Sequence, residues 1–155
     1  MTRTPIDGLV LAAGFFAAAS LILVQRFYGA LASLNLTVPL SLWVIAAVAG
    51  WIAWVVKNRR EEGRVGLDRT QLNPMMVANF MVFGKACAWA GAVCGGAYAG
   101  GLVYVLPRLA TLAAASGDTP PLVAGTLGGL ALSVAGVILE RVCEVSPPGD
   151  GEAVG

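Results

Sequence analysis

The chain has 155 residues, 57% of them hydrophobic and only 12% charged, with ten Lys and Arg, nine Asp and Glu, and no His. That charge content is about half of the roughly 25% usual in soluble domains. It excludes a His-ligated metal and a His general base, and a net charge of +1 gives no basic surface for nucleic acid.

The charges are unevenly placed. None lies between Asp7 and Arg26 (18 residues), Arg26 and Lys57 (30), Lys85 and Arg108 (22), or Asp118 and Glu140 (21). A soluble protein of this size needs charged surface around its core, and these stretches cannot supply it. A bilayer core about 30 Å thick takes about 20 apolar residues of helix at 1.5 Å each. The pattern predicts an all-α integral membrane protein with four transmembrane helices. A membrane barrel would need many strands of alternating polarity, and no such alternation is visible.

The first span is expected over Ile6–Phe27. A secretory signal peptide is the alternative, with Arg3 before it and Ala30-Leu31-Ala32 as a small-residue cleavage site. The 18-residue uncharged stretch is longer than the usual apolar region of about 7–15 residues, which favours a retained span. The second span is expected over Val38–Val56, with Pro39 in a first turn that tolerates proline. Trp51 and Trp54 lie just before Lys57, where an aromatic belt belongs, and Trp43, Tyr28 and Tyr104 lie toward the opposite face.

The loop Lys57–Asn73 holds Lys57, Arg59, Arg60, Arg64 and Arg69 against Glu61, Glu62 and Asp68. It reads as a topology signal on a solvated loop, or as a dock for a cytosolic partner or anionic lipid headgroups. Asn73 and Pro74 suit an N-cap and a first helical position. Residues 74–85 are therefore predicted as a helical N-terminal extension of the third span. Met75, Met76, Phe80 and Phe83 on it would pack on a neighbour or lie among headgroups. Lys85 is the candidate interfacial charge; a buried lysine here would instead mark a functional site.

The third span, Ala86–Leu106, stops at Pro107. Ala88, Ala92, Gly96 and Gly100 recur every four residues, and Gly91, Gly95 and Ala99 form a second row. The fourth span, Pro121–Val142, carries Gly125, Gly129 and Ser133 at the same spacing. Small residues so spaced let helix backbones approach closely. The plainer expectation is that spans three and four form a hairpin on these rows, giving two hairpins in all. The sharper one is that a row faces a partner protein or a second copy. Cys87 and Cys94 are seven residues apart, about 10.5 Å along a helix and too far for a disulfide. With Cys143, they read as small apolar residues.

Seven cations lie on the side of the termini and central loop, with Lys85 at a boundary on that side, against Arg26 and Arg108 on the other. Both termini are therefore expected in the cytoplasm. Residues 1–145 form a single membrane domain, and the Pro/Gly-rich acidic tail 146–155 is expected to be disordered.

Several runs resemble the central signature of an actinobacterial membrane-protein family, domain of unknown function 3180: Leu72-Asn73-Pro74, Gly84-Lys85-Ala86, Gly91-Ala92 and Tyr98-Ala99-Gly100. The exit Leu139-Glu140-Arg141-Val142-Cys143, followed by Pro147-Pro148 and an acidic tail, is similar too. The resemblance covers about residues 5–150. It implies four spans in a bacterial cytoplasmic membrane and brings no catalytic residues. The short tail departs from the commoner pattern and puts any tail-dependent role in doubt.

No cofactor motif is visible. The expected function is a non-enzymatic structural or partner-binding membrane module. Its candidate packing residues are Gly91, Gly95, Gly96, Gly100, Gly125 and Gly129. The alternative is a small oligomeric transporter or channel subunit. Against it, all nine acids lie outside the charge-free stretches, and proton-coupled transport calls for a membrane-buried carboxylate. An intramembrane enzyme would have to use Cys87, Cys94, Ser41 or Ser133, none with a visible base beyond a Ser–Lys pairing with Lys85.

Overall fold

The computed structural model describes residues 4–27, 36–61, 74–111 and 113–144. The tail 146–155, most of the central loop, Tyr28 and the Ala30-Leu31-Ala32 site lie outside the described residues. Four helices follow in order: α1 Ile6–Phe27, α2 Thr37–Glu61, α3 Pro74–Val105 and α4 Ala113–Cys143. Among the described residues, these four are long and apolar enough to cross a membrane. Large apolar side chains such as Leu11, Phe15, Trp51 and Trp54 point outward, an exterior suited to lipid rather than water.

Local chemistry sets the helix ends. The Leu9 N–H donates to Pro5 O at 3.3 Å and the Leu40 N–H to Leu36 O at 3.1 Å, opening α1 and α2. Asp7 in the first turn of α1 and Arg26 in its last turn oppose the helix dipole. Helix α3 runs unbroken through Lys85 for 32 residues, about 48 Å. A short 3₁₀ turn, Leu106–Arg108, closes it at Pro107, whose missing N–H stops the α-helical ladder. The Arg108 guanidinium stacks 3.9 Å from the Tyr104 ring.

Helix α4 starts eight residues before the expected Pro121, at Ala113, with Pro120 and Pro121 inside it. Proline is tolerated within membrane helices because neighbouring groups re-satisfy the freed carbonyls. The prolines therefore mark the end of the second turn, not the first position.

The helices do not form two hairpins. Helices α3 and α4 pack antiparallel as expected, but α1 lies against the far side of α3 and α2 against the far side of α4. Among the described residues, α1 and α2 share no contact. The order across the molecule is α1, α3, α4, α2. Paired contacts show α1 running parallel to α3 (Ala13 at Gly96, Ala17 at Gly100) and α2 parallel to α4 (Trp43 at Gly128, Ala53 beside Ala135). Ten residue steps separate Phe27 from Thr37, a reach of about 33–36 Å. That is enough to cross three interhelix spacings of about 8–10 Å. For helices apolar enough to lie in lipid, no hydrophobic gain comes from joining α1 to α2. Close backbone approach decides association, and α3 and α4 each offer two faces for it.

Candidate functional site

All six candidate glycines sit at contacts inside the chain. Gly91, Gly95 and Gly129 form the α3–α4 seam. A Cβ added to Gly91 would come 2.6 Å from Gly129 O, and one on Gly95 would come 3.2 Å from Gly129 Cα. Gly125 faces the Tyr98 ring, and Gly136 fits against Ala88 and Gly84. Gly96 and Gly100 belong to a different seam: a Cβ on either would fall on the carbonyl of Ala13 or Ala17 of α1. Ser20 fastens the same seam, donating to Ala97 O at 2.7 Å. These six glycines are therefore covered by the chain's own helices.

The α2–α4 seam uses a different device. Leu42, Ala46, Ala49, Ala53 and Val56 are buried in a 4-3-4-3 spacing, against Leu132, Leu139 and Cys143. This is the heptad pattern of a coiled-coil stripe. Trp43 caps it, donating from Nε1 to Ala124 O at 3.0 Å. Trp43, expected as a belt residue, is thus a helix-to-helix tie.

At the end where α1 begins and α4 ends, Glu140 turns inward and is only 4% exposed. Its Oε1 accepts the Thr4 backbone N–H at 2.9 Å, and its Oε2 accepts the Thr4 hydroxyl. Thr4 is itself 8% exposed. The carboxylate thereby sits at the positive N-terminal end of the α1 dipole, which offsets its unfavourable place in the last turn of α4. Gly84 makes room: a Cβ there would lie 2.9 Å from the Glu140 N. One residue thus links three helices. Among the described residues, no buried side-chain N or O atom lacks a hydrogen-bond partner, as native interiors require.

Lys85 follows Gly84 and is half-buried, level with Glu140 and the start of α1. Residues 74–83 of α3 project about 15 Å beyond that level. Val77, Phe80 and Met81 on this projection pack on the cluster that holds Val56 and Cys143, while Met75, Met76 and Phe83 stay exposed. Ser41 lies near the opposite end of the molecule, its hydroxyl donating to Val38 O at 2.7 Å. Tyr98, at the level of Trp43, is 13 residues from Lys85, about 20 Å along the axis, so Ser41 and Lys85 are not brought together. Ser133 is packed at Gly91, six residues from Lys85 and about 9 Å along the axis. Cys87 and Cys143 are buried and Cys94 is half-buried, and among the described residues none of the three is in a disulfide.

On the outside, an open groove of about 560 Å³ runs between α2 and α4. Gly50, Ala53, Ala131 and Ala135 form its floor, with Trp54, Leu130, Val134, Ile138 and Val142 around it. Among the described residues, Lys57 is its one charged lining residue.

The chain matches, over residues 9–147, the family described as a protein of unknown function (DUF3180). It belongs to that family. The match runs from the second turn of α1 to beyond the end of α4, so the DUF3180 unit comprises all four helices. Comparison with curated proteins and with solved structures finds no match.

Glu140 is the DUF3180 residue whose role the charge pattern concealed, because a charge bounding an apolar stretch reads as solvated. Its signal was helical phase. Glu140 lies four residues after Gly136, on the face that meets α3.

Proposed function

We propose that this DUF3180 protein is a non-enzymatic module of the cytoplasmic membrane, with both termini inside, that holds a partner transmembrane helix on the free flank of α1. The observation that carries this reading is the position of Gly14. The glycines of α3 from Gly84 to Gly101 and of α4 from Gly125 to Gly136 are closed by neighbours, whereas Gly14, like Gly50 of α2 and Gly117 near the start of α4, has nothing within 4 Å. It lies with Leu11, Phe15, Ala18 and Ile22 on the exposed side of a helix whose one buried residue is Leu9. A Gly-xxx-Ala notch between large apolar side chains is a surface on which a second helix can approach closely. The cation bias toward the terminal side supports the orientation.

The test is a photoreactive residue at Phe15 in native membranes. A discrete protein adduct that disappears with Gly14→Leu supports the reading. Adducts to lipid alone, from Leu11, Phe15 and Ile22 alike, overturn it.

A second reading, a transporter subunit, rests on Glu140, a carboxylate that the helices shield from the surroundings. Buried ionisable groups in membrane proteins line substrate and proton paths. Flux in liposomes that falls with Glu140→Gln supports it, and flux no greater than in empty liposomes ends it.

A further inference from the structure

We propose that the α2–α4 groove is a seat for one acyl chain of an anionic glycerophospholipid, whose phosphate meets Lys57. Shape, length and charge each point to this occupant. The groove exists because Gly50 and Ala53 on α2 face Ala131 and Ala135 on α4, so both helix surfaces recede at the same level. Its wall on α4 runs twelve residue steps from Leu130 to Val142, about 18 Å, and its wall on α2 seven steps from Gly50 to Lys57, about 10 Å at helical rise. One leaflet of a bilayer core is about 15 Å deep. A chain entering at the Lys57 end is therefore held between both helices for about 10 Å and lies along α4 for the rest of the leaflet.

The groove is open along one side, and its volume of about 560 Å³ spread along about 18 Å leaves a mean cross-section of about 30 Å², which admits an extended hydrocarbon chain. The walls are apolar along the whole length, so the buried part of the ligand is hydrocarbon.

Charge then selects the headgroup. Lys57 is the lining residue at the mouth. At this end of the two helices the sequence places Lys57, Arg59, Arg60 and Arg141 against Glu61, Glu144 and Glu140, the last committed to Thr4. Trp54 lies one turn before Lys57, at the depth where indole rings favour the interface. This site is on the opposite flank from Gly14 and does not depend on a partner at α1.

The experiment is native mass spectrometry of the full-length protein in mild detergent, titrated with phosphatidylglycerol or with phosphatidylcholine of the same chains. One phosphatidylglycerol should bind with about fivefold preference, the worth of one lysine at a membrane surface. Lys57→Gln, an exposed position, should bring the two lipids within about twofold. Ala135→Leu narrows the floor and should weaken both, leaving crosslinking from Phe15 unchanged. Ala131→Leu provides a second narrowing in case Ala135→Leu fails to fold. Equal binding of the two lipids by the wild type, a preference that survives Lys57→Gln, or unaltered binding by both narrowed variants would each overturn the proposal.

Discussion

The seating of α1 can be tested by adding two methyl groups. In Gly96→Ala and Gly100→Ala, each new Cβ meets a carbonyl oxygen of α1 and also lies about 3 Å from carbon: 3.0 Å from Ala13 C and 3.0 Å is also the Ala17 C distance. Carbon atoms prefer about 3.5–4.0 Å, so α1 must retreat by roughly 0.5–1 Å along the seam. A gap of that size forfeits a quarter to a half of each contact's attraction, and overpacking costs about 1–3 kcal/mol per site. Alanine's better helix propensity returns about 0.5–1 kcal/mol per site. The double variant should therefore lose up to about 5 kcal/mol. Gly14→Ala is the control, because nothing lies within 4 Å of its Cβ. It should be neutral or gain up to about 1 kcal/mol in the purified protein. The assay is unfolding by denaturing detergent, followed by tryptophan fluorescence and circular dichroism. Equal stability of Gly96→Ala/Gly100→Ala and Gly14→Ala would refute the placement of α1 against α3.

Other outcomes follow from the same contacts. Glu140→Gln and Thr4→Val should each lose about 1–3 kcal/mol in the same assay. A double-mutant cycle should show coupling of at least about 0.5 kcal/mol, and strict additivity would mean that the two side chains do not meet. Trp43→Phe removes the bond to Ala124 O and should cost about 0.6 kcal/mol, within the range for interhelical bonds in membranes; an unchanged midpoint would count against that tie. For orientation, single cysteines at Ser146 and Thr111 in an otherwise Cys-free protein should differ. An impermeant thiol reagent should label the Thr111 position in intact cells and the Ser146 position only after lysis, and the reverse pattern would invert the topology.

Four apolar helices, each long enough to cross a membrane, were legible because charge is costly in hydrocarbon, so an uncharged stretch of about 20 residues carries its own meaning. Small residues every four positions were legible as sites of close approach for a similar reason: a bare helix surface is a local property. The placement of α2 was harder. Its seam residues Leu42, Ala46, Ala49, Ala53 and Val56 are no more apolar than the lipid-facing residues between them, so hydropathy does not separate inside from outside. Glu140 was hidden for a different reason. Whether a boundary carboxylate faces water or protein depends on what arrives beside it, and Thr4 arrives from 136 residues away in sequence.

By itself the sequence determined that this DUF3180 chain has four apolar helices, where they break, and which surfaces let backbones touch. Tertiary structure alone decided who touches whom: α1 on Gly96 and Gly100, α4 on Gly91 and Gly95, and α2 on the far side of α4. The physical reason is that helix pairing in lipid is chosen by steric fit between two surfaces. A single helix records its own notches, but not the identity of the helix that fills them.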